Sequence, residues 1–359
     1  MAGLIYREDF DEVRKRLTTW WNGGDIGRPV MHIYVPRQKP FIEIKPLPKP
    51  HGWNTNYSTK DFNYRVYLSE TACNQTIYMG EAIPFVSPDL APGCLALYLG
   101  STCVEQTDTV WFQPCMNERI EPDFRYDPNN FYWQFTLRLA HEQLRIGKNK
   151  FILQFPDLIE GLDTLAAMRG SENLLMDVIE DSAWIQRCLH QITNIYFDYY
   201  DILYDLIHDD VGGSYFWIWA PGRMAKFQCD FSAMISPEMF KEFMVPVLRE
   251  MCQRVSYSMY HWDGPGALPH FEQLLGIDEL DMIQWVPGDG HELPDHPRWW
   301  HLYHRMLEHG KKVFIHYCAS SENLKALKKE FGKKLNQFFI IMHPKTVEEA
   351  EQLLKIASE

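Results

Sequence analysis

The chain has 359 residues, of which 46% are hydrophobic and 23% are charged, a balance typical of a folded globular protein. Its formal net charge of −13 and the lack of a basic stripe argue against nucleic acid as a partner. No apolar run approaches the roughly 20 residues that span a bilayer, and the charged N-terminal segment lacks the apolar core of a signal peptide. We therefore expect no membrane association and a cytoplasmic location.

The eight cysteines form no C-x-x-C pair and show no regular spacing. Without a secretion signal, this pattern predicts reduced thiols rather than a disulfide framework. Most of the cysteines are expected to behave as small buried hydrophobic residues. Cys318 differs because it lies at the end of a predicted strand.

The first part of the chain is less regular than the rest. Residues 1–26 predict a helical extension, and residues 27–37 and 108–114 each predict a strand. The segment between these strands is rich in proline and polar residues, which predicts an irregular insertion over about residues 38–107.

From about residue 150 onward, short apolar runs alternate with amphipathic stretches. Continuous apolar runs of this length are typical of strands that are buried on both faces of a parallel sheet. The predicted strands of this part cover residues 150–156, 214–221, 256–262, 281–287, 312–318 and 338–343.

The segments between these strands carry helix signals. Ser236 and Pro237 predict an N-cap followed by the first helical position, and Pro246 predicts a kink further along the same helix. Thr346 and Glu349 have the spacing of a capping box at the start of the last helix. Repeated strand–helix units indicate a parallel α/β fold.

The two early strands and the six later ones bring the predicted count to eight, the number that closes a barrel. We therefore predict a (β/α)8 TIM barrel over residues 27–359, with the N-terminal extension and the long early insertion. An open doubly wound sheet is the alternative. No predicted strand is followed by a G-x-G-x-x-G turn and the sequence has no P-loop, which weighs against that alternative.

In a barrel of this type, the active site lies at the carboxyl ends of the strands. His261 and Asp263 end the fifth predicted strand with i, i+2 spacing, which places both side chains on one face. They are the predicted catalytic pair. The residues predicted to bind substrate at or near the other strand ends are Asp157, Asp210, Trp219, Arg223, Gln284, Trp285 and His316.

Three tryptophans near these ends, Trp219, Trp262 and Trp285, predict an aromatic mouth that stacks on a ring or encloses a methylammonium group. Packing in the core is the alternative for all three. An aspartate before a glycine, as at Asp263, is also typical of a turn. Asp210 has the alternative role of a helix cap.

Cys318 ends the seventh predicted strand on the same rim as His261 and Asp263. One imidazole, one carboxylate and one thiolate would make a three-ligand metal site with an open position. Zinc suits such a mixed set of nitrogen, oxygen and sulfur ligands. Alternatively, His261 and Asp263 form an acid–base pair without a metal.

Three segments of the later part of the chain resemble a known family. The segments DFSAMISPEMFKEFMVPVLREM, LDTLAAMRGSENLLMDVIED and CASSENLKAL are similar to segments of the uroporphyrinogen decarboxylase superfamily, which includes corrinoid-linked methyltransferases. The resemblance covers roughly residues 150–359. It implies a (β/α)8 barrel, in agreement with the strand count.

In the methyltransferase branch of that superfamily, a His-x-Cys-Gly motif and a later cysteine hold zinc, which activates a methyl acceptor. The matching positions in this chain are His261, Trp262, Asp263, Gly264 and Cys318. Asp263 thus stands in place of a cysteine, and a carboxylate is a harder ligand than a thiolate. Gln284 stands where some related proteins have a glutamate ligand.

The resemblance implies a metal-assisted methyltransferase that acts on a small methylated substrate or on a methyl-corrinoid. The expected partners are a small-molecule substrate, a separate protein that carries the corrinoid, and a second copy of the chain in a homodimer. The alternative function is a metal-free lyase, decarboxylase or hydrolase of a small polar substrate that uses Asp263 and His261 as acid and base. A non-catalytic binding protein on the same scaffold is a third class. The predicted rim has few arginines, which argues against decarboxylation of a porphyrinogen with many carboxylates.

Overall fold

The computed structural model describes residues 3–359, so residues 1 and 2 of the predicted N-terminal extension lie outside the described residues. The extension contains helix α1 (Phe10–Trp21). The further helices of the described residues are α2 (Phe62–Ala72), α3 (Cys94–Tyr98), α4 (Phe131–Gly147), α5 (Gly161–Arg169), α6 (Ser171–Glu180), α7 (Ser182–Ile207), α8 (Pro237–Gln253), α9 (Phe271–Leu275), α10 (Trp300–Glu308), α11 (Ser321–Phe331) and α12 (Val347–Ser358). The strands are β1 (Val30–Pro36), β2 (Thr76–Gly80), β3 (Phe85–Val86), β4 (Thr102–Gln106), β5 (Thr109–Gln113), β6 (Ile152–Leu153), β7 (Ser214–Phe216), β8 (Ile218–Ala220), β9 (Met224–Gln228), β10 (Tyr257–Asp263), β11 (Met282–Val286), β12 (Lys312–Ile315) and β13 (Phe338–Met342).

Within residues 3–359, seven strands form one sheet in the order β2-β1-β13-β12-β11-β10-β9. Neighbouring strands are parallel except for β2, which is antiparallel to β1. All residues of β9 and β12 are buried, as expected for strands covered on both faces. The chain is therefore a mixed α/β protein with a mostly parallel central sheet, and that part of the fold prediction is confirmed.

The predicted single strand over residues 214–221 is wrong. The segment forms the antiparallel hairpin of β7 and β8, and the chain reverses at Trp217, whose φ is 57°. No glycine, proline or asparagine marks this reversal within the apolar run. The strand that joins the central sheet is β9, which begins only after the hairpin.

The early part of the chain also differs from the prediction. The predicted strand over residues 108–114 corresponds to β5, which pairs with β4 in a separate antiparallel hairpin. The segment predicted as an irregular insertion, residues 38–107, contains α2, α3 and three strands. One of these strands, β2, belongs to the central sheet, and another, β3, pairs in parallel with β6.

The predicted helix caps are confirmed. The Ser236 side chain accepts the backbone N–H of Met239, with Pro237 in the first turn of α8. The Thr346 hydroxyl accepts the backbone N–H of Glu349 at the start of α12. Helix α8 continues through Pro246 to its end at Gln253. None of the described helices has both the length and the apolar character needed to cross a membrane.

Asp209, at the amino end of the β7–β8 hairpin, is the centre of a buried polar network. Its Oδ1 accepts the backbone N–H groups of Val211 (3.1 Å) and Gly213 (2.7 Å). Its Oδ2 accepts the indole N–H of Trp219 (2.9 Å) and a guanidinium N–H of Arg14 (3.0 Å). The network therefore fixes helix α1 and the hairpin to each other.

Replacement of Asp209 by alanine should lower the free energy of unfolding by about 3 kcal/mol, because it leaves buried donors, including the Arg14 guanidinium, without this acceptor. Urea denaturation measures the change. Asp201→Ala on helix α7 is the matched control, since it removes only a partly exposed ion pair with Arg223 and should change stability by less than about 1 kcal/mol. Equal losses in the two variants would contradict the proposed role of Asp209.

Candidate functional site

Polar side chains on three neighbouring strands share one face of the central sheet. His261 of β10 is in register with Gln228 of β9 and with Gln284 of β11. Lys226 lies two residues before Gln228 and therefore on the same face, because side chains alternate along a strand. These four residues form a continuous polar group near the carboxyl ends of the strands.

The Lys226 side chain is fully buried, at 0% exposure. Its Nζ donates a hydrogen bond to Asp157 Oδ2 at 2.7 Å and lies equally close to Oδ1. It also donates a hydrogen bond to Gln228 Oε1 at 2.5 Å. Because an ammonium group is costly to bury without a partner, the ion pair with Asp157 is what permits a lysine at this position.

The segment after β6 contributes two further carboxyl groups. Glu160 is fully buried, and its Oε1 accepts the backbone N–H of Gln228 at 2.8 Å. Its Oε2 has no hydrogen-bond partner among residues 3–359, and burial raises the pKa of Glu160 well above the usual value. Asp163 accepts the backbone N–H groups of Asp230 (2.7 Å) and Phe231 (2.8 Å). These contacts hold the chain after β9 against the chain after β6.

The imidazole of His261 is oriented by Gln284. The distance between His261 Nδ1 and Gln284 Oε1 is 2.5 Å. Since a carbonyl oxygen only accepts hydrogen bonds, Nδ1 carries the hydrogen and Nε2 keeps a free lone pair. Burial, and then the positive charge of Lys226, lower the pKa of His261 to about 4. The imidazole is therefore neutral at pH 7.

Asp230 and Asp263 lie at the rim of the site, at the ends of β9 and β10. Burial, and then the carboxylates of Asp163 and Asp263, raise the pKa of Asp230 to about 7. Asp230 lines a concave cavity of about 510 Å³ that also contacts Asp163 and Trp111. We call this the acidic cavity. Burial raises the pKa of Asp263 as well.

A second cavity, of about 490 Å³, adjoins His261 through Trp217. The Trp217 ring lies 5.6 Å from the His261 ring in an edge-to-face arrangement, and its backbone N–H donates to Gln154 Oε1 at 3.0 Å. We call this the aromatic cavity because most of its lining side chains are rings. The ring side chains are Tyr34, Tyr78, Phe85, Trp217, His316 and His343.

Cys318 packs against the start of α11. Its buried thiol lies 3.7 Å from the carbonyl oxygen of Ser320, and burial, with the nearby carboxylate of Asp295, raises its pKa. Among residues 3–359, no three His, Cys, Asp or Glu side chains are grouped so that they could hold a metal ion. His261, Asp263 and Cys318 do not form such a group, and a zinc ion held by these three residues stays a prediction.

The placement of Asp210, Trp219 and Arg223 at the carboxyl rim is wrong, because all three lie at the amino ends of the strands. Asp210 precedes β7 and pairs with Arg14 at 2.6 Å. Trp219 lies on β8, which runs back from the turn toward the start of β7. Arg223 precedes β9, and its guanidinium lies over the ring of Tyr200 at 4.7 Å. The unpredicted reversal in the β7–β8 hairpin is the reason for Trp219 and Arg223, whereas Asp210 precedes its strand and lies at the amino end in any case.

The predicted aromatic mouth is wrong as well. Trp262 and Trp285 are in register, fully buried, and 4.4 Å apart between ring centroids. Trp262 stacks on Phe271 of α9 at 4.7 Å. Because His261 and Gln284 face the site, the residues that follow them face the helices.

Of the residues predicted to bind substrate, Asp157 and Gln284 lie in the polar group and His316 lines the aromatic cavity.

Sequence reasoning missed Lys226 and Gln228, because charged and amide side chains interrupt the apolar run that marks a buried strand. Their i, i+2 spacing is the signal that identified the predicted catalytic pair on β10, and it was available for β9 as well.

A comparison of the chain with protein-family models gives no match, and a comparison with curated proteins gives no match either. The candidate site therefore rests on its own geometry.

The pKa of His261 yields a test that needs no substrate. Ring NMR of histidine-labelled protein should show one neutral imidazole with its hydrogen on Nδ1 down to about pH 5, because burial and Lys226 oppose protonation. The unfolded chain binds this proton near pH 6.5, so His261 should make the folded state less stable as the pH falls from about 6.5 to 4. His261→Gln should reduce that pH dependence. An imidazolium at pH 6.5 in the folded wild type would contradict the assignment.

Proposed function

We propose that the chain is an enzyme that performs acid–base chemistry on a small polar molecule, as a lyase, decarboxylase or hydrolase. The observation that carries the proposal is the neutral imidazole of His261. Gln284 Oε1 holds its Nδ1 at 2.5 Å and leaves Nε2 free. His261 lies on β10, next to β9, the strand that leads to Asp230. Two neighbouring groups whose pKa values are shifted in opposite directions are the usual sign of a base and an acid. A non-catalytic binding protein would not require this arrangement.

The roles follow from the protonation states. His261 has its pKa lowered to about 4 and is ready at neutral pH to accept a proton on Nε2. Asp230 has its pKa raised to about 7, so a substantial fraction of its carboxyl group is protonated and can give a proton to a leaving group or to a carbon. Asp263, at the same rim, supports this role because its charge contributes to the raised pKa of Asp230.

Lys226 supplies a fixed positive charge beneath these groups. Its Nζ is held by Asp157 and Gln228 and does not need to reorganise during a reaction. A preorganised charge in a buried site stabilises negative charge that develops on a nearby substrate atom. The same charge helps to keep His261 neutral.

We propose that the fold is a closed (β/α)8-like barrel with this site at its carboxyl mouth. Strand β3 pairs in parallel with β6, which supports closure. The Phe155 N–H donates to the Tyr215 carbonyl (3.2 Å) and so links the segment after β6 to β7. The Glu81 N–H donates to the Met31 carbonyl (2.7 Å), which links the segment after β2 to β1. In such a barrel the site occupies the usual position for catalysis.

The zinc-dependent methyltransferase implied by the sequence resemblance requires His261, Asp263 and Cys318 in one coordination sphere. The contacts of Cys318 with Ser320 and Asp295 do not support that set. In the proposed enzyme, proton transfer therefore uses only protein groups.

The test is turnover of a library of small polar metabolites, followed by mass spectrometry, with the pH profile of kcat/KM measured on any substrate found. The rate should rise through about pH 4, as His261 loses its proton, and fall through about pH 7, as Asp230 loses its proton. His261→Asn and Asp230→Asn should each reduce kcat/KM by about 100-fold or more.

Asp210→Asn is the matched control at the opposite end of the strands and should leave kcat/KM unchanged. Full activity in His261→Asn would overturn the proposed base, and an upper pH limb that survives Asp230→Asn would overturn the proposed acid.

A further inference from the structure

The aromatic cavity indicates the class of the substrate. We infer that it holds the ring of a planar aromatic molecule with one or two rings, which carries a hydroxyl or amino substituent and no carboxylate. This inference rests on the proposed function, because the bond to be cleaved would lie beside His261, next to the ring. It narrows the small polar molecule of that proposal to one chemical class.

The shape of the cavity favours a flat ring. Tyr34 and His343 are stacked, with ring centroids 5.4 Å apart and planes 21° apart. Tyr34 and Tyr78 meet edge to face, at 5.9 Å and 83°. A planar ligand would add a further ring to this cluster, in one of the two arrangements that aromatic pairs prefer. The volume of about 490 Å³ is at the small end of ligand sites.

The charges around the cavity disfavour an anionic ligand. No Asp, Glu, Lys or Arg is among the described residues that line it. The nearest positive charge on β9, Lys226, is fully buried and already paired with Asp157. A ring with a carboxylate would thus lose its hydration without gaining a cationic partner.

A polar substituent does have a partner in the lining. His316 Nδ1 is buried and has no hydrogen-bond partner among residues 3–359. Burial lowers the pKa of His316, so the ring is neutral and can donate or accept one hydrogen bond to a hydroxyl or amino group.

Trp217 connects this cavity to the proposed base. Its φ of 57° is uncommon for a bulky residue, and the hydrogen bond from its N–H to Gln154 holds it there. Such backbone strain tends to be kept where it serves a function. Here it places the indole in the cavity wall and 5.6 Å from the His261 ring.

The probes for the test are phenol and indole as neutral rings, benzoate as an anionic ring, and cyclohexanol as a non-aromatic alcohol. Binding at pH 7 is measured by NMR titration of the wild type. Phenol and indole should bind at least about tenfold more tightly than benzoate or cyclohexanol, because only they combine stacking with a neutral donor. Equal affinity for benzoate and phenol would overturn the inference.

The site is located with variants. Trp217→Ala and His316→Ala should each weaken phenol binding by about fivefold to tenfold, and the conservative Trp217→Phe should retain most of the affinity. Trp111→Ala, which removes an exposed indole from the acidic cavity, is the matched control and should have no effect. Thermal unfolding checks that each variant is folded. A loss of binding in Trp111→Ala with none in Trp217→Ala or His316→Ala would overturn the assignment.

His261→Asn separates this inference from the proposed function. The substitution should leave phenol binding within about twofold of the wild type, since His261 does not line the cavity, while it removes turnover. Ring binding without any turnover in the wild type would leave the ring pocket standing and refute the enzyme. Turnover of non-aromatic substrates only would support the enzyme and refute the ring pocket.

Discussion

The ion pair between Lys226 and Asp157 is the interaction on which the rest of the site depends. It joins β9, at one edge of the central sheet, to the segment that follows β6. Two parallel contacts strengthen this connection: Glu160 accepts the N–H of Gln228, and Asp163 accepts the N–H groups that follow. Because a buried charge requires a partner, the ion pair strongly constrains how β9 sits relative to this segment. The position of the side chains that face His261 follows from it.

Around this ion pair the site has two unlike sides. The acidic cavity, about 510 Å³, contains the carboxyl groups of Asp163 and Asp230. Burial raises the pKa of both groups, and the charge of Asp163 raises that of Asp230 further. The aromatic cavity, about 490 Å³, is lined by rings and by neutral histidines. His261 is next to both, through Trp217 on one side and Gln228 on the other. In the proposed enzyme the rings bind the substrate, His261 accepts a proton and Asp230 supplies one.

In the proposed enzyme, the His-Trp-Asp-Gly stretch supports acid–base chemistry in place of the zinc chemistry that the sequence resemblance implies. Asp263 stands where the methyltransferase motif has a thiolate ligand, and the later cysteine, Cys318, is a buried thiol with a raised pKa. Asp295 beside it accepts hydrogen bonds from the Ala319 N–H and the Asn323 amide, so the turn around the thiol is held in place. His261 is oriented by the neutral amide of Gln284, which suits the role of a base that we propose for it.

The sequence by itself determined the features that depend on near neighbours. The apolar runs of β10, β11, β12 and β13 predicted buried parallel strands, and the caps at Ser236 and Thr346 predicted two helix starts, because each signal lies within a few residues. Only the tertiary structure decided which polar residues meet. Lys226 is compatible with a buried strand only because Asp157, 69 residues away, neutralises it. The reversal at Trp217 sent Trp219 and Arg223 to the other end of the strands, and no residue in that run indicates a turn. A strand end or a sheet face is set by pairing between distant segments, which a local pattern does not encode.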